Sequence, residues 1–228
     1  MPEFVNPKYS DDAKTIFKKP TRLECMMQDF PIVLDGENAN RVGFTSISAD
    51  MCFSPVKNAT SDGVKLQAAG THPGCAASGE ADQYGACRKI LRSIGVDIKD
   101  NEPETYNGVT VVLGPEIVIG AAAMCCPGEY SEVFPTPEKV HISAGSSLII
   151  KGAGDLTIES LTLDGALVID CEEGANTIVK DLVVKNEGWV REAVANTGDE
   201  VLDMRGYKLI KKKTERVNYK KADDCSIL

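Results

Sequence analysis

Ser147-Leu148-Ile149-Ile150-Lys151-Gly152-Ala153-Gly154-Asp155-Leu156-Thr157-Ile158-Glu159-Ser160-Leu161-Thr162-Leu163-Asp164-Gly165-Ala166-Leu167-Val168-Ile169-Asp170 is the stretch whose pattern decides the fold. Its apolar residues come in short runs parted by Gly and Asp, the pattern of short β-strands joined by tight turns. Side chains alternate between the two faces of a strand, so Leu156 and Ile158 share one face, as do Leu161 and Leu163. The alternation slips by one at Ser160-Leu161, which turns the buried face outward unless the chain rounds a corner there. A sandwich, a barrel or a β-solenoid satisfies the run lengths. A solenoid corner explains the slip, although no strict hexapeptide repeat runs through the stretch.

Working outward, Val109–Leu113, Glu116–Ile119 and Val140–Ile142 read as strands before it, and Ile178–Val184 as one after it. A last strand is expected near Tyr207–Ile210 and a loose end after it, in a tail rich in lysine (Lys208, Lys211, Lys212, Lys213, Lys220 and Lys221, with Arg216). Residues 109–228 are therefore read as an all-β, β-solenoid-like C-terminal domain with a basic tail.

Before residue 109 the pattern changes. Gly79–Ile94 reads as a helix, with Ser78 as N-cap, Glu80 and Asp82 near its positive end, and Gly95 at its stop. Tyr84, Cys87, Ile90, Leu91 and Ile94 fall on one face. Residues 59–78, rich in Ala, Gly, Ser and Thr, read as loop. In the first sixty residues Phe4-Val5 and Val42–Ile47 read as strands, Leu23–Met27 as a strand or short helix, and Pro31 and Asp35-Gly36 as loop.

The 228 residues carry a formal net charge of −9, which opposes binding to a phosphate backbone and excludes nucleic acid as an expected partner. No apolar run approaches the roughly 18 residues that a membrane span needs. The eight cysteines are irregularly spaced, and Met1-Pro2-Glu3-Phe4 has neither basic patch nor apolar run, so reduced thiols and a cytoplasmic location are expected. His72 with Cys75 and Cys87 offers too few ligands for zinc, and no metal site is expected among these residues. Cys125-Cys126 reads as buried thiols, His141 as a strand residue bonded locally, and Trp189 as core. Cys225-Ser226-Ile227-Leu228 fits a prenylation pattern. A chance match of four residues is the simpler account, so no membrane partner is expected.

One segment has a shape suited to phosphate chemistry. In Ser54-Pro55-Val56-Lys57-Asn58 the proline stiffens the approach to Lys57, whose ammonium is a compact charge for phosphate oxygens. Taken alone, the same lysine reads as an ordinary surface residue.

Glu3-Phe4-Val5-Asn6-Pro7-Lys8-Tyr9 and Phe17-Lys18-Lys19-Pro20-Thr21-Arg22-Leu23-Glu24-Cys25-Met26-Met27-Gln28-Asp29-Phe30-Pro31 resemble the UDP-sugar pyrophosphorylases of plants and protists. Val42-Gly43-Phe44-Thr45, Pro55-Val56-Lys57-Asn58, Ser78-Gly79-Glu80, Leu163-Asp164-Gly165-Ala166-Leu167 and Asn186-Glu187-Gly188-Trp189 follow in that family's order. The resemblance spans roughly residues 3–210 and fades between Val111 and Pro137.

It implies that residues 1–108 are the C-terminal part of a Rossmann-like α/β nucleotidyltransferase domain, with residues 1–60 as edge strands of its sheet. It implies a uridylyltransferase that makes UDP-sugars and pyrophosphate from UTP and sugar 1-phosphates, with magnesium. Lys57 is the expected catalytic phosphate contact. Lys18, Arg22 and Glu24 are weaker substrate-binding candidates, and an Arg22–Glu24 ion pair on a pocket wall serves as well to explain two of them. The family's Gly-rich nucleotide loop has no match here, and its magnesium ligands are expected outside this chain. The chain alone is therefore expected to be inactive. Two other readings stay open: a non-catalytic β-rich module that regulates or oligomerises a partner, and a UDP-glucose or UDP-N-acetylglucosamine pyrophosphorylase.

Overall fold

The computed structural model describes residues 1–221. They fall in two units that divide between Ser46 and Ile47.

In the first unit β1 (Glu3–Val5) pairs antiparallel with β2 (Leu23–Cys25), Phe4 opposite Glu24. The connection is pinned by the stacked rings of Tyr9 and Phe17, 5.2 Å apart. Asp11 closes the turn by accepting the backbone N–H of Thr15 at 2.9 Å and of Ile16 at 2.7 Å. These bonds to Thr15 and Ile16 hold its carboxyl below the ordinary range. A 3-10 segment, Met27–Val33, and the short α1 (Gly36–Ala39) follow.

Val42–Ile47, read as a strand, pairs with nothing among the described residues and runs as irregular chain. A strand needs a neighbour for its N–H and C=O groups, and this segment has none. No residue of 1–46 is buried; Phe44 is 96% exposed and Met27 85%.

The second unit opens with α2 (Ala49–Cys52), α3 (Thr60–Ala68) and α4 (Ala76–Ser93). Helix α3 lies where the sequence reads as loop. Gly63 lowers its helix propensity, but that glycine is buried against Cys75, whose Sγ lies 3.1 Å from where a Cβ would stand. Close packing decides the conformation there. Helix α4 starts ahead of Gly79, because Cys75 is the N-cap. Ser78 sits in the first turn, and its Oγ accepts the Cys75 N–H at 3.1 Å, the return half of a capping box. Leu91 is fully buried, with Cys87, Ile90 and Ile94 packed on the same core.

Then come β3 (Asp97–Ile98), β4 (Glu104–Tyr106), β5 (Val109–Val111), β6 (Glu116–Ile119), α5 (Pro127–Val133), β7 (Val140–Ile142), β8 (Ser147–Lys151), β9 (Asp155–Ile158) and β10 (Leu161–Asp164). After them lie β11 (Ala166–Cys171), β12 (Asn176–Val179), β13 (Leu182–Lys185), β14 (Trp189–Ala193), α6 (Glu200–Arg205), β15 (Tyr207–Lys211) and β16 (Glu215–Tyr219). Helices α5 and α6 thus interrupt the span read as all-β.

Three sheets are parallel, in the orders β13-β10-β7-β3, β16-β11-β8-β6 and β12-β9. From β7 to β13 each strand pairs with the one three places later. Leu161 faces both Val140 and Leu182 across its neighbours, and Ile169 faces Ile150. Apolar residues so stacked are out of water: Leu148, Ile150, Ile158, Leu167 and Ile169 are each 0% exposed.

The slip at Ser160-Leu161 is the turn from β9 into β10, which belong to different sheets. Ile158 and Leu161 are both buried because the chain bends between them, its Glu159 N–H on Val179 O at 2.8 Å. Ile178–Val184, read as one strand, is broken the same way. Asp181 takes φ +50° at the bend, and Ser160 Oγ accepts its N–H at 2.6 Å.

Two motifs of the family resemblance interlock here. Gly165 has φ +136°, and a Cβ on it would lie 2.3 Å from Asn186 Oδ1. That oxygen accepts the N–H of Ala166 at 2.8 Å and of Gly188 at 2.9 Å. Asn186 Nδ2 donates to Ala166 O at 2.9 Å. The Asn186 side-chain amide thus binds Asn186-Glu187-Gly188 to the backbone just after Asp164-Gly165.

Other expectations are corrected. Glu215–Tyr219, expected in a loose end, form β16 and pair in parallel with β11. Trp189 is half-buried rather than core; its Nε1–H donates to Thr214 Oγ1 at 2.7 Å and Lys211 Nζ lies 4.3 Å from its ring centroid. Cys125 and Cys126 are exposed, and Glu129 accepts both their backbone N–H groups. His141 bonds locally, Nδ1 to Asp97 Oδ2 at 3.1 Å. Cys225 lies outside the described residues. Among them, no helix is long and apolar enough to cross a membrane.

Candidate functional site

Lys57 lies on the loop between α2 and α3, and this loop is clamped at several points. Gly74 O accepts the backbone N–H of Lys57 at 2.9 Å and of Asn58 at 3.0 Å. Asn58 Nδ2 donates to Pro73 O at 2.9 Å. Ser54 Oγ, four residues earlier than Asn58, donates to Asp82 on α4 at 2.5 Å. Val56 leans on α4, where a Cβ on Gly79 would come within 2.4 Å of Val56 Cγ2. The Pro55-Val56-Lys57-Asn58 and Ser78-Gly79-Glu80 segments are therefore one local construction.

Within this frame Lys57 is exposed and, among the described residues, has no ion-pair partner. It borders a cleft of about 460 Å³ together with Phe53, Asn58, His72 and Asp82. A fixed backbone carrying a free ammonium beside a cleft is an arrangement that can hold an anion.

Gly79→Ala tests the clamp. Alanine improves helix propensity by about 1 kcal/mol, yet its methyl would push Val56, a stiff β-branched side chain, off the helix. The expected result is an unchanged or higher melting temperature, with faster exchange of the Lys57 and Asn58 amides.

The weaker candidates lie in the first unit. Arg22 and Glu24 alternate along one face at β2 and border a cleft of about 630 Å³ with Lys8, Lys19 and Thr21. Lys19 lines it; Lys18 does not, and its backbone N–H donates to Lys8 O at 2.8 Å. Among the described residues no ion pair joins Arg22 to Glu24. The structure thus brings Arg22 and Glu24 to one cleft and leaves Lys18 out of its lining.

No group of three or more His, Cys, Asp or Glu among the described residues could hold a metal ion. The residues here do not fit a magnesium cage of their own. His72, weighed in the sequence only as a metal ligand, bonds instead to Asp82, Nε2 to Oδ2 at 2.9 Å. Nothing in the spacing of residues 72 and 82 announces that pair; the only local signal is Pro73-Gly74, whose glycine takes φ +59°.

A second polar cluster is structural. Arg191 on β14 bonds to Glu104 at 2.8 Å and pairs with Glu116. Glu80 on α4 pairs with Arg205 and accepts the Tyr84 hydroxyl at 2.9 Å. Burial works to raise the Glu80 pKa, but the Arg205 guanidinium together with the Tyr207 and Tyr84 hydroxyls outweighs it and holds the carboxyl below its ordinary value. These contacts tie α6 and β14 to α4, β4 and β6.

No family model matches the chain. It is 36% identical over 225 residues to the UDP-sugar pyrophosphorylase of Oryza sativa subsp. indica, covering 95% of this chain and 35% of that protein. The UDP-sugar pyrophosphorylase of Oryza sativa subsp. japonica gives the same identity and coverage. That of Arabidopsis thaliana is 35% identical over 217 residues, 92% of this chain and 33% of the relative. The chain spans about a third of the length of these curated relatives.

Proposed function

Taking as premise that nearly the whole chain is similar to a portion of the UDP-sugar pyrophosphorylases, we propose that it is the C-terminal part of a uridylyltransferase acting on UTP and sugar 1-phosphates. A phosphate oxygen of the sugar 1-phosphate attacks the α-phosphorus of UTP, the bond to the β-phosphate oxygen breaks, and pyrophosphate leaves. Such transfer depends on positioning and on neutralising phosphate charge. Lys57 supplies one such charge, while Arg22 and Glu24 belong to a substrate-binding wall that Lys18 does not line. Magnesium would neutralise phosphate charge in such a reaction, and the residues that would hold it lie outside this chain.

The observation that carries the reading is the Lys57 loop, fastened through Gly74 and Asp82 while its ammonium stays free. Residues 1–46 support the second half of the proposal, that the chain needs the rest of such an enzyme to work. A segment with no buried side chain and an exposed Phe44 and Met27 has apolar surface to cover. In this reading that surface, and the unpaired Val42–Ile47, join the nucleotide-binding sheet. Residues 1–108 then end the catalytic domain, and residues 109–228 form a solenoid-like domain on it. The three-place strand pairing supports the solenoid, and Leu91, Val96 and Ile98, buried with Ile117 and Leu163, are the seam. The setting is cytoplasmic.

The test is turnover by the chain joined to a polypeptide matching the remaining two thirds of the rice relative. Pyrophosphate should be released with more than one sugar 1-phosphate. No release with any sugar removes the reading.

A further inference from the structure

We propose that His72 is a positioning residue for the Lys57 loop, acting through Gly74; its place in catalysis rests on the reading of Lys57 given above. The ring is held at both nitrogens. Nδ1 lies 3.2 Å from the backbone N of Gly74, which can only donate, so Nδ1 is the acceptor and carries no proton. The proton of the neutral ring is then on Nε2, which faces Asp82 Oδ2 at 2.9 Å and donates to it.

The consequence runs through one residue. The same Gly74 whose N–H is fixed by His72 offers its C=O to the N–H groups of Lys57 and Asn58. Its φ of +59° and the 2.9 Å from a would-be Cβ to Asn58 Nδ2 leave no room for a side chain. Asp82 accepts the hydrogen bond of the His72 Nε2–H and also that of the Ser54 hydroxyl. One carboxylate on α4 therefore anchors the loop twice, directly at Ser54 and, through His72 and Gly74, at Lys57. Because Asp82 stands on an 18-residue helix, this gives an exposed lysine a rigid reference. Lys57 thereby keeps its donor aimed without losing its own charge in an ion pair.

The experiment uses the 228-residue chain itself, so it does not depend on activity. Long-range nitrogen–proton spectra should show His72 with the proton on Nε2; the Nδ1–H tautomer overturns the proposal. His72→Ala should speed exchange of the Lys57 and Asn58 amides by about tenfold or more, while the Leu167 amide, in the core, keeps its rate. His72→Asn should restore most of the protection, because Asn Oδ1 can replace Nδ1 as acceptor for Gly74. Unchanged exchange in His72→Ala, or no recovery in His72→Asn, overturns the proposal. In the joined enzyme His72→Ala should lower kcat. Faster exchange with unchanged kcat removes the phosphate role of Lys57 and leaves the positioning of its loop intact.

Discussion

Replacing Lys57 by alanine should lower kcat of the joined enzyme about 100- to 1,000-fold, the range seen when one aimed donor is removed from a developing charge. Its side chain is exposed and makes no ion pair among the described residues, so the melting temperature should barely move. Steady-state kinetics against circular-dichroism melting separates the two effects. Lys57→Arg should recover only part of the loss, since a planar fork cannot take the place of a compact ammonium on a clamped loop. Equal loss of stability and activity in Lys57→Ala would mean that the residue holds structure.

The second large effect falls far from that loop. Arg191→Ala should destabilise the chain by about 3–5 kcal/mol, because it strips the partner from a buried carboxylate. The Arg191 side chain is 10% exposed and bonds to Glu104, while Glu116 is 3% exposed. Burial pushes the Glu116 pKa up, and the Arg191 charge offsets part of that rise. Without the arginine the rise is larger. A folded-state carboxyl with raised pKa disfavours folding once it must ionise, so the penalty is absent below the ordinary carboxylate range, grows as pH rises from the ordinary value towards the folded one, and levels off above it. Urea unfolding at about pH 5 and pH 7 should therefore show the larger loss at pH 7. The same loss at both, or a loss within the ordinary scatter of surface changes, would show that Glu116 does not need Arg191.

Much of this was legible in the sequence because β-strands announce themselves locally. Leu156, Ile158, Leu161 and Leu163 alternate with polar residues, and Gly and Asp mark the bends. Even the slip at Ser160 carried its meaning, once neighbouring strands proved to lie in different sheets. What escaped depends on distant partners. Helix α3 forms around Gly63 because Cys75 packs on it. Strand β16 exists because β11 offers an edge, and Lys211 through Lys221 looked like solvated tail without it.

The site divides the same way. Lys57 stood out by its flanking Pro55 and Asn58 and by the family resemblance. His72 and Asp82 did not, since their meeting is set by the approach of the Pro73-Gly74 strap to α4. Arg191 and Glu116 are 75 residues apart, and no spacing rule joins them.

The measurement that bears most directly on the proposed activity is pyrophosphate release from UTP and a sugar 1-phosphate, run on the 228-residue chain alone and on the chain joined to the portion that its relatives carry beyond it. The chain alone should be silent, the joined protein active, and the joined Lys57→Ala variant nearly silent again. Turnover by the chain alone, or a joined enzyme indifferent to Lys57, would contradict the account.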